Sequence, residues 1–149
     1  MMNLKFQYNC SGIDWELVPE ILKTVGMSYH EADIHRKTFS ASAAVVFVFD
    51  DQRLVGFGRA ISDGLIQAAI YDVAVLPDCQ GQGIGKQIID KIVAALPGCN
   101  FILYASPGKE IFYEKLNFRR MKTGMALFVK GDLMSSKGFT EYSINKASQ

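Results

Sequence analysis

At 149 residues the chain is long enough for one domain with a continuous core and too short for two ordinary ones. Its composition, 49% hydrophobic and 21% charged, is that of a folded globular protein and excludes a disordered one. A formal net charge of +1, with no dense run of Lys or Arg, supplies no field to gather nucleic acid or an anionic membrane, so the expected partner is a small molecule or a peptide.

Leu4 to Tyr8 alternates apolar and polar residues and predicts an N-terminal strand, which Asn9, Ser11 and Gly12 break. Asp14 caps a helix whose apolar positions Trp15, Val18, Ile21, Leu22 and Val25 recur at helical spacing, with Gly26 as its stop. Pro19 sits early in that helix, where its missing N–H matters least. Glu31 to Phe39 reads as a second short helix, after a loop carrying Tyr29 and His30.

The period then changes. Val45–Phe49, Leu54–Ile61 and Ile66–Val75 are rich in β-branched and aromatic residues and are separated by Asp50-Asp51 and Asp63-Gly64, which predicts three consecutive antiparallel strands. Ala43 to Phe49, the longest strongly apolar run, is less than half of what a helix needs to cross a bilayer, and no signal-peptide core opens the chain. No membrane association and a cytoplasmic location are the expectations.

Pro77 ends the last of these strands, and Gly81 to Gly85 leads into a helix with Ile84, Ile88, Ile89, Ile92 and Val93 on one face. Phe101–Ala105 predicts a buried strand, and Lys109–Leu116 a short helix ended by Asn117 in the left-handed conformation. Phe118–Met121 and Met125–Lys130 are expected as final strands, in a hairpin around Thr123-Gly124. From Gly131 to Gln149 the chain reads as an arm of uncertain order, whose scattered apolar residues suggest docking and a homodimer. The fold class is α/β of the mixed α+β kind: a mostly antiparallel central sheet of about six to seven strands with helices on both faces.

Cys10, Cys79 and Cys99 are odd in number and lack CxxC spacing, so free thiols are expected, with Cys79 the one placed to react with reagents. His30 and His35 are too few and too poorly spaced for a metal, and none is expected.

The chemistry lies in Gln80-Gly81-Gln82-Gly83-Ile84-Gly85-Lys86, set between a strand end and a helix start. Several backbone N–H groups there have no intrahelical acceptor, the glycines remove Cβ atoms that would keep a pyrophosphate away, and the helix dipole adds favourable charge. Lys86 adds a cation. The spacing is neither GxGxxG nor GxxxxGK[ST], and a dinucleotide-binding unit would place its loop after the first strand.

A [QR]xxGx[GA] run after Asp72-Val73-Ala74-Val75-Leu76-Pro77 resembles motif A of the GNAT (GCN5-related N-acetyltransferase) superfamily. Ile111-Phe112-Tyr113-Glu114-Lys115-Leu116-Asn117-Phe118 is similar to that family's FYxxxGF segment, with Asn117 in place of the usual glycine. The stretch Leu54 to Asp63 looks like the small bacterial and plant-type members. The resemblance covers residues 4 to 130 and implies one acetyltransferase domain, with 131–149 outside it.

It further implies acetyl-CoA as co-substrate, with the pyrophosphate on Gln80 to Lys86 and the pantetheine along the backbone of Val73 and Val75. A backbone N–H near Val73 would polarise the thioester carbonyl, and Tyr113 would protonate the departing thiolate. The implied reaction is direct attack by a primary amine of a small molecule or peptide; a non-catalytic acyl-CoA-binding module is the alternative. Asp72 is the nearest carboxylate for a general base, or else a structural partner; the strand lacks the glutamate several members use. Tyr29, His30 and Phe39 lie in the region that borders the acceptor pocket in this family. Arg59 and Asp63 also line it, or pair with each other across a turn.

Overall fold

In the computed structural model, which describes residues 1–145, the strands, all before Leu103, form where β-branched and aromatic residues run together. They are β1 (Leu4–Gln7), β2 (Ala44–Asp50), β3 (Arg53–Ser62), β4 (Gln67–Val75) and β5 (Asn100–Ile102). They lie in one sheet in chain order, antiparallel from β1 to β4 and parallel between β4 and β5. Helices are α1 (Leu17–Thr24), α2 (Ala32–Ser40), α3 (Ile84–Ala95), α4 (Glu110–Glu114) and α5 (Gly131–Ser136). Two compact units divide the chain, one up to Leu103 and one from Tyr104 onward.

The first unit's two layers follow from the register of β2 on β3. Phe47 pairs with Phe57, while the flanking Val46 and Val48 pair with Gly58 and Gly56. Successive side chains leave opposite faces of a strand, so one face is aromatic and the other is aliphatic with glycines. The aromatic face meets Val18, Ile21 and Leu22 of α1 and Phe39 of α2, with Trp15 packed 5.8 Å from the Phe39 ring and 5.9 Å from the Phe47 ring. The glycine face admits α3: a Cβ on Gly58 would stand 2.8 Å from Ile88 Cγ2. Ile84, Ile88, Ile89 and Ile92 of α3 are all buried, each worth about 1.5–3 kcal/mol. Val93, expected on that face, lies at its margin, 38% exposed.

Two of the expected helix stops are in place. Gly26, at φ 81°, donates to the Lys23 carbonyl as α1 closes, and Asn117 takes φ 71° three residues past the end of α4. Asp14 does not cap α1 as expected: the N-cap is Glu16, without a side-chain cap bond, and Asp14 accepts only from the Glu16 amide at 3.2 Å, ahead of the helix.

The later elements differ from expectation. The sheet has five strands rather than six or seven, because Phe118–Met121 and Met125–Lys130 form none among the described residues. Strand propensity is largely a preference for a pleated, half-buried surface, and Met125, Leu127 and Val129 are fully exposed with no ladder beside them. Within the arm, α5 ends at Gly138, φ 87°, where the Gly138 and Phe139 amides donate to the Ser135 and Met134 carbonyls. The Phe139 ring then packs 5.8 Å from Tyr104. Residues 146–149 of the arm lie outside the described residues.

Candidate functional site

β4 loses both neighbours at one place. β5 accompanies it only from Gln67 to Ala69, so the edge from Ile70 to Val75 faces no strand on that side among the described residues. On the other side Phe57 pairs with Ala74 and Arg59 with Tyr71, which sets Gly58 alone against the two residues Asp72 and Val73. Two residues opposite one make a β-bulge, and a bulge leaves a backbone group of the longer strand unpaired. Asp72 carries the distortion at φ 57°, a left-handed conformation that Asp tolerates better than most side chains but at a cost of about 1 kcal/mol. Val73 and Val75, expected to meet pantetheine, are both on this open edge.

The edge runs directly into the glycine-rich turn. Leu76 donates to the Val55 carbonyl at 2.8 Å, Pro77–Cys79 make one 3-10 turn, and the Gln80 side-chain amide donates back to the Val75 carbonyl at 2.9 Å. Gln80 thereby ties the turn to the strand end. Gly81 and Gly83 both have φ 79°, and a Cβ on either would meet nothing within 4 Å. The space in front of them is thus open. Gly83 is the N-cap of α3, and the first intrahelical bond there runs from Gln87 to its carbonyl. The amides of Ile84, Gly85 and Lys86 precede that bond, and no acidic residue stands in this first turn. Free donors, a positive helix end and open space fit a pyrophosphate. Gly85 lies inside the helix, and its value is in its small size. Lys86 Nζ pairs with Asp90 at 2.6 Å on the exposed side, so its cation is shared. Gln82 is exposed. Cys79 is a correction: it is 1% exposed, and burial pushes its thiol pKa up, which removes it from reach of reagents.

Behind the bulge is a polar cluster. Arg59 Nε donates to Asp72 Oδ2 at 2.7 Å and Arg59 Nη1 to Ser42 Oγ at 3.3 Å, while the guanidinium carbon lies 5.8 and 5.5 Å from the ring centres of Phe39 and Tyr71. The pairing of Arg59 with Asp63 does not occur. Asp63 instead accepts from the Leu65, Ile66 and Gln67 amides, closing its own turn, and those bonds hold its carboxyl below the usual range. Phe39, expected near the acceptor pocket, is a core ring under Arg59 at 1% exposure.

His30 donates its backbone N–H to His35 Nε2 at 2.9 Å, and His35 is 3% exposed. Burial pushes the His35 imidazole below its ordinary range, against the opposing pull of Asp72. It is therefore neutral, with Nε2 as acceptor. Tyr29 and His30 remain exposed in the loop before α2. The Arg59–Asp72 contact and the burial of His35 were missed from sequence; the regular count back from the Asp63-Gly64 turn does not reveal a bulge.

In the second unit, α4 holds Tyr113 by its own end. The amides of Asn117 and Phe118 donate to the Glu114 and Tyr113 carbonyls, which brings the Phe118 ring 5.8 Å from that of Tyr113, with Phe112 at 4.9 Å on another side. Burial raises the Tyr113 phenol above its ordinary pKa, so it stays protonated and able to donate.

The acetyltransferase (GNAT) domain model matches residues 42–120, which include the cluster, the bulge, the turn and Tyr113. Serotonin N-acetyltransferase 2, chloroplastic, of Oryza sativa subsp. japonica is 34% identical to the chain over 116 residues, covering 72% of it and 58% of the rice protein. A solved structure of a putative acetyltransferase of the same family from Xanthomonas campestris pv. campestris is 26% identical with a TM-score of 0.76, covering 88% of this chain and 96% of that one. Naa50 of Arabidopsis thaliana, solved with the bisubstrate analogue CoA-Ac-MVNAL, is alike in fold alone, at 15% identity and a TM-score of 0.65, with 80% and 85% covered. The chain spans about a third to two thirds of the length of the curated relatives it matches.

Proposed function

The chain belongs to the GNAT acetyltransferase family, and from that we propose that it moves the acetyl group of acetyl-CoA to a primary amine of a small molecule or peptide. The observation that carries this reading is the continuous path from the edge of β4 at Val73 and Val75, which no strand covers among the described residues, to the left-handed glycines and free amides at the start of α3. The edge offers backbone pairing to an extended amide chain, and the turn offers donors to a pyrophosphate.

Acetyl-CoA supplies the thioester, whose carbonyl carbon the amine attacks as the C–S bond breaks. A β4 amide at Val73 polarises the carbonyl oxygen, a contact worth more as charge develops than before. Tyr113 gives its proton to the departing sulfur; that role rests on the resemblance of residues 111–118 and on the protonated state of the phenol. Asp72 has one oxygen committed to Arg59, so the amine is taken to bind neutral after losing one proton to solvent; the second proton, shed by the nitrogen as the C–N bond forms, returns through solvent to the Tyr113 phenolate, leaving the amide and the CoA thiol.

The test is thiol release over a panel of arylalkylamines, polyamines, amino sugars and peptide N-termini. An arylalkylamine is the first to try, because the rice relative is named for serotonin. The expected result is turnover with at least one class, ternary-complex kinetics, and an acid limb of kcat/KM that moves with the acceptor's own pKa. An isolable acetyl-enzyme, or CoA binding with no thiol release for any amine, would overturn the proposal.

A further inference from the structure

For Asp72 the left-handed φ of 57° costs about 1 kcal/mol even though Asp tolerates it, and a contact that offsets this cost is visible. Arg59 Nε donates to Asp72 Oδ2, Arg59 Nη1 donates to Ser42 Oγ, and Ser42 Oγ donates onward to the Thr38 carbonyl at 2.7 Å, which anchors the guanidinium to α2. The Phe39 and Tyr71 rings flank it, Phe39 itself being fixed in the core, and the Arg59 side chain is only 13% exposed. An arginine so surrounded is a rigid fork rather than a mobile surface charge. It grips β4 at the residue where β5 has already parted from the strand and where β3 offers one residue against two.

We propose that Arg59 is a positioning residue for acyl transfer: by gripping Asp72 it keeps the β4 bulge left-handed and so sets the direction of the backbone amide at Val73. Arg59 then acts through the backbone and touches neither substrate, and the Asp72 carboxylate is a handle rather than a base. The inference rests on the function proposed above, since an amide needs aiming only if something is to be polarised there. A bulge can slide or relax by one residue, and either change moves the Val73 donor by a distance that a reacting centre does not tolerate.

Glycine supplies the test, because it adopts positive φ without a side-chain penalty and so does not need the grip. Four variants are compared: Arg59→Met, which keeps the stem between the rings and loses the donors; Asp72→Gly; the two combined; and Asp72→Asn, which keeps an acceptor and tolerates the left-handed region. Arg59→Met is expected to lower kcat by about 10- to 100-fold while leaving CoA affinity in a calorimeter within about twofold. In the Asp72→Gly background, removing Arg59 is expected to have little further effect, so that the double variant is faster than Arg59→Met alone. Asp72→Asn is expected to keep most turnover.

The Val73 amide resonance, recorded without ligand, should shift in Arg59→Met and be insensitive to Arg59 once residue 72 is glycine. If Arg59→Met lacks a cooperative thermal transition, Arg59→Lys, which retains the charge and loses the Nε donor, is read in the same way. Unchanged kcat and an unmoved Val73 resonance in the arginine variant would overturn the proposal. So would a double variant no better than Arg59→Met, or loss of turnover in Asp72→Asn with the resonance in place. A wild-type chain that binds no CoA would refute the proposed function instead, while the Val73 resonance would still report whether Arg59 holds the bulge.

Discussion

Tyr113, half-buried, and His35, buried, each give a distinct prediction. Tyr113 is packed against Phe112 and Phe118, so Tyr113→Phe preserves the rings and removes only the hydroxyl. If that hydroxyl protonates the leaving thiolate, kcat should fall by about 10²- to 10⁴-fold with CoA affinity unchanged, measured where chemistry limits the rate. A variant with full kcat would show the tyrosine to be structural. His35 bears on stability. Its folded pKa is depressed by burial, so below the ordinary imidazole pKa of about 6.5 the unfolded chain binds the proton more readily than the folded one. The stabilisation is complete above that pH and is lost as pH falls through the folded pKa, at no more than about 1.4 kcal/mol per pH unit for one proton. Wild type should therefore lose more Tm between pH 7.5 and pH 5 than His35→Gln, whose amide oxygen can still accept from His30; equal losses would refute the neutral, buried state.

Among the elements, those carrying their own instructions were legible in the sequence. The β2–β3–β4 meander follows from three apolar runs cut by Asp-rich turns, and the start of α3 from glycines ahead of an isoleucine face. The bulge was not legible: nothing in Tyr71-Asp72-Val73 marks an extra residue, because the mismatch exists only against the spacing of Phe57 to Arg59 on the neighbouring strand. The strands expected at Phe118–Met121 and Met125–Lys130 failed for the related reason that a period of two describes one strand and says nothing about an available partner. The glycines of β3 show how tightly the meander is built. A Cβ on Gly56 would lie 2.9 Å from the Ala74 carbonyl oxygen, which is backbone and cannot swing aside; one on Gly58 would meet the side chains of Ile88, Ile92 and Val73 at 2.8–3.3 Å. Both Gly56→Ala and Gly58→Ala should destabilise by about 1–3 kcal/mol, Gly56→Ala the more, in denaturant titrations. A neutral result at Gly56 would mean that β4 yields more easily than the close pairing implies.

At the scale of the whole molecule, the proposed cofactor site should couple to folding, because a ligand held by amides in a defined turn binds the folded chain and not the unfolded one. CoA at a concentration about 100 times its Kd would then add about 2.7 kcal/mol to the stability of the unit that contains the turn, residues 1–103. That is a rise of several degrees in Tm, growing with the logarithm of CoA concentration. Gly83→Val separates this coupling from stability itself. Residue 83 has φ 79°, so valine strains the backbone and should lower the unliganded Tm; its side chain would enter the open space in front of the helix and obstruct the phosphates. The expected pattern is a modestly lower starting Tm with the CoA-dependent rise abolished. A Gly83→Val protein that starts lower and still climbs with CoA as steeply as wild type would place the phosphates elsewhere. Wild type with no CoA-dependent rise at all would show that the turn, however well shaped, does not bind the cofactor.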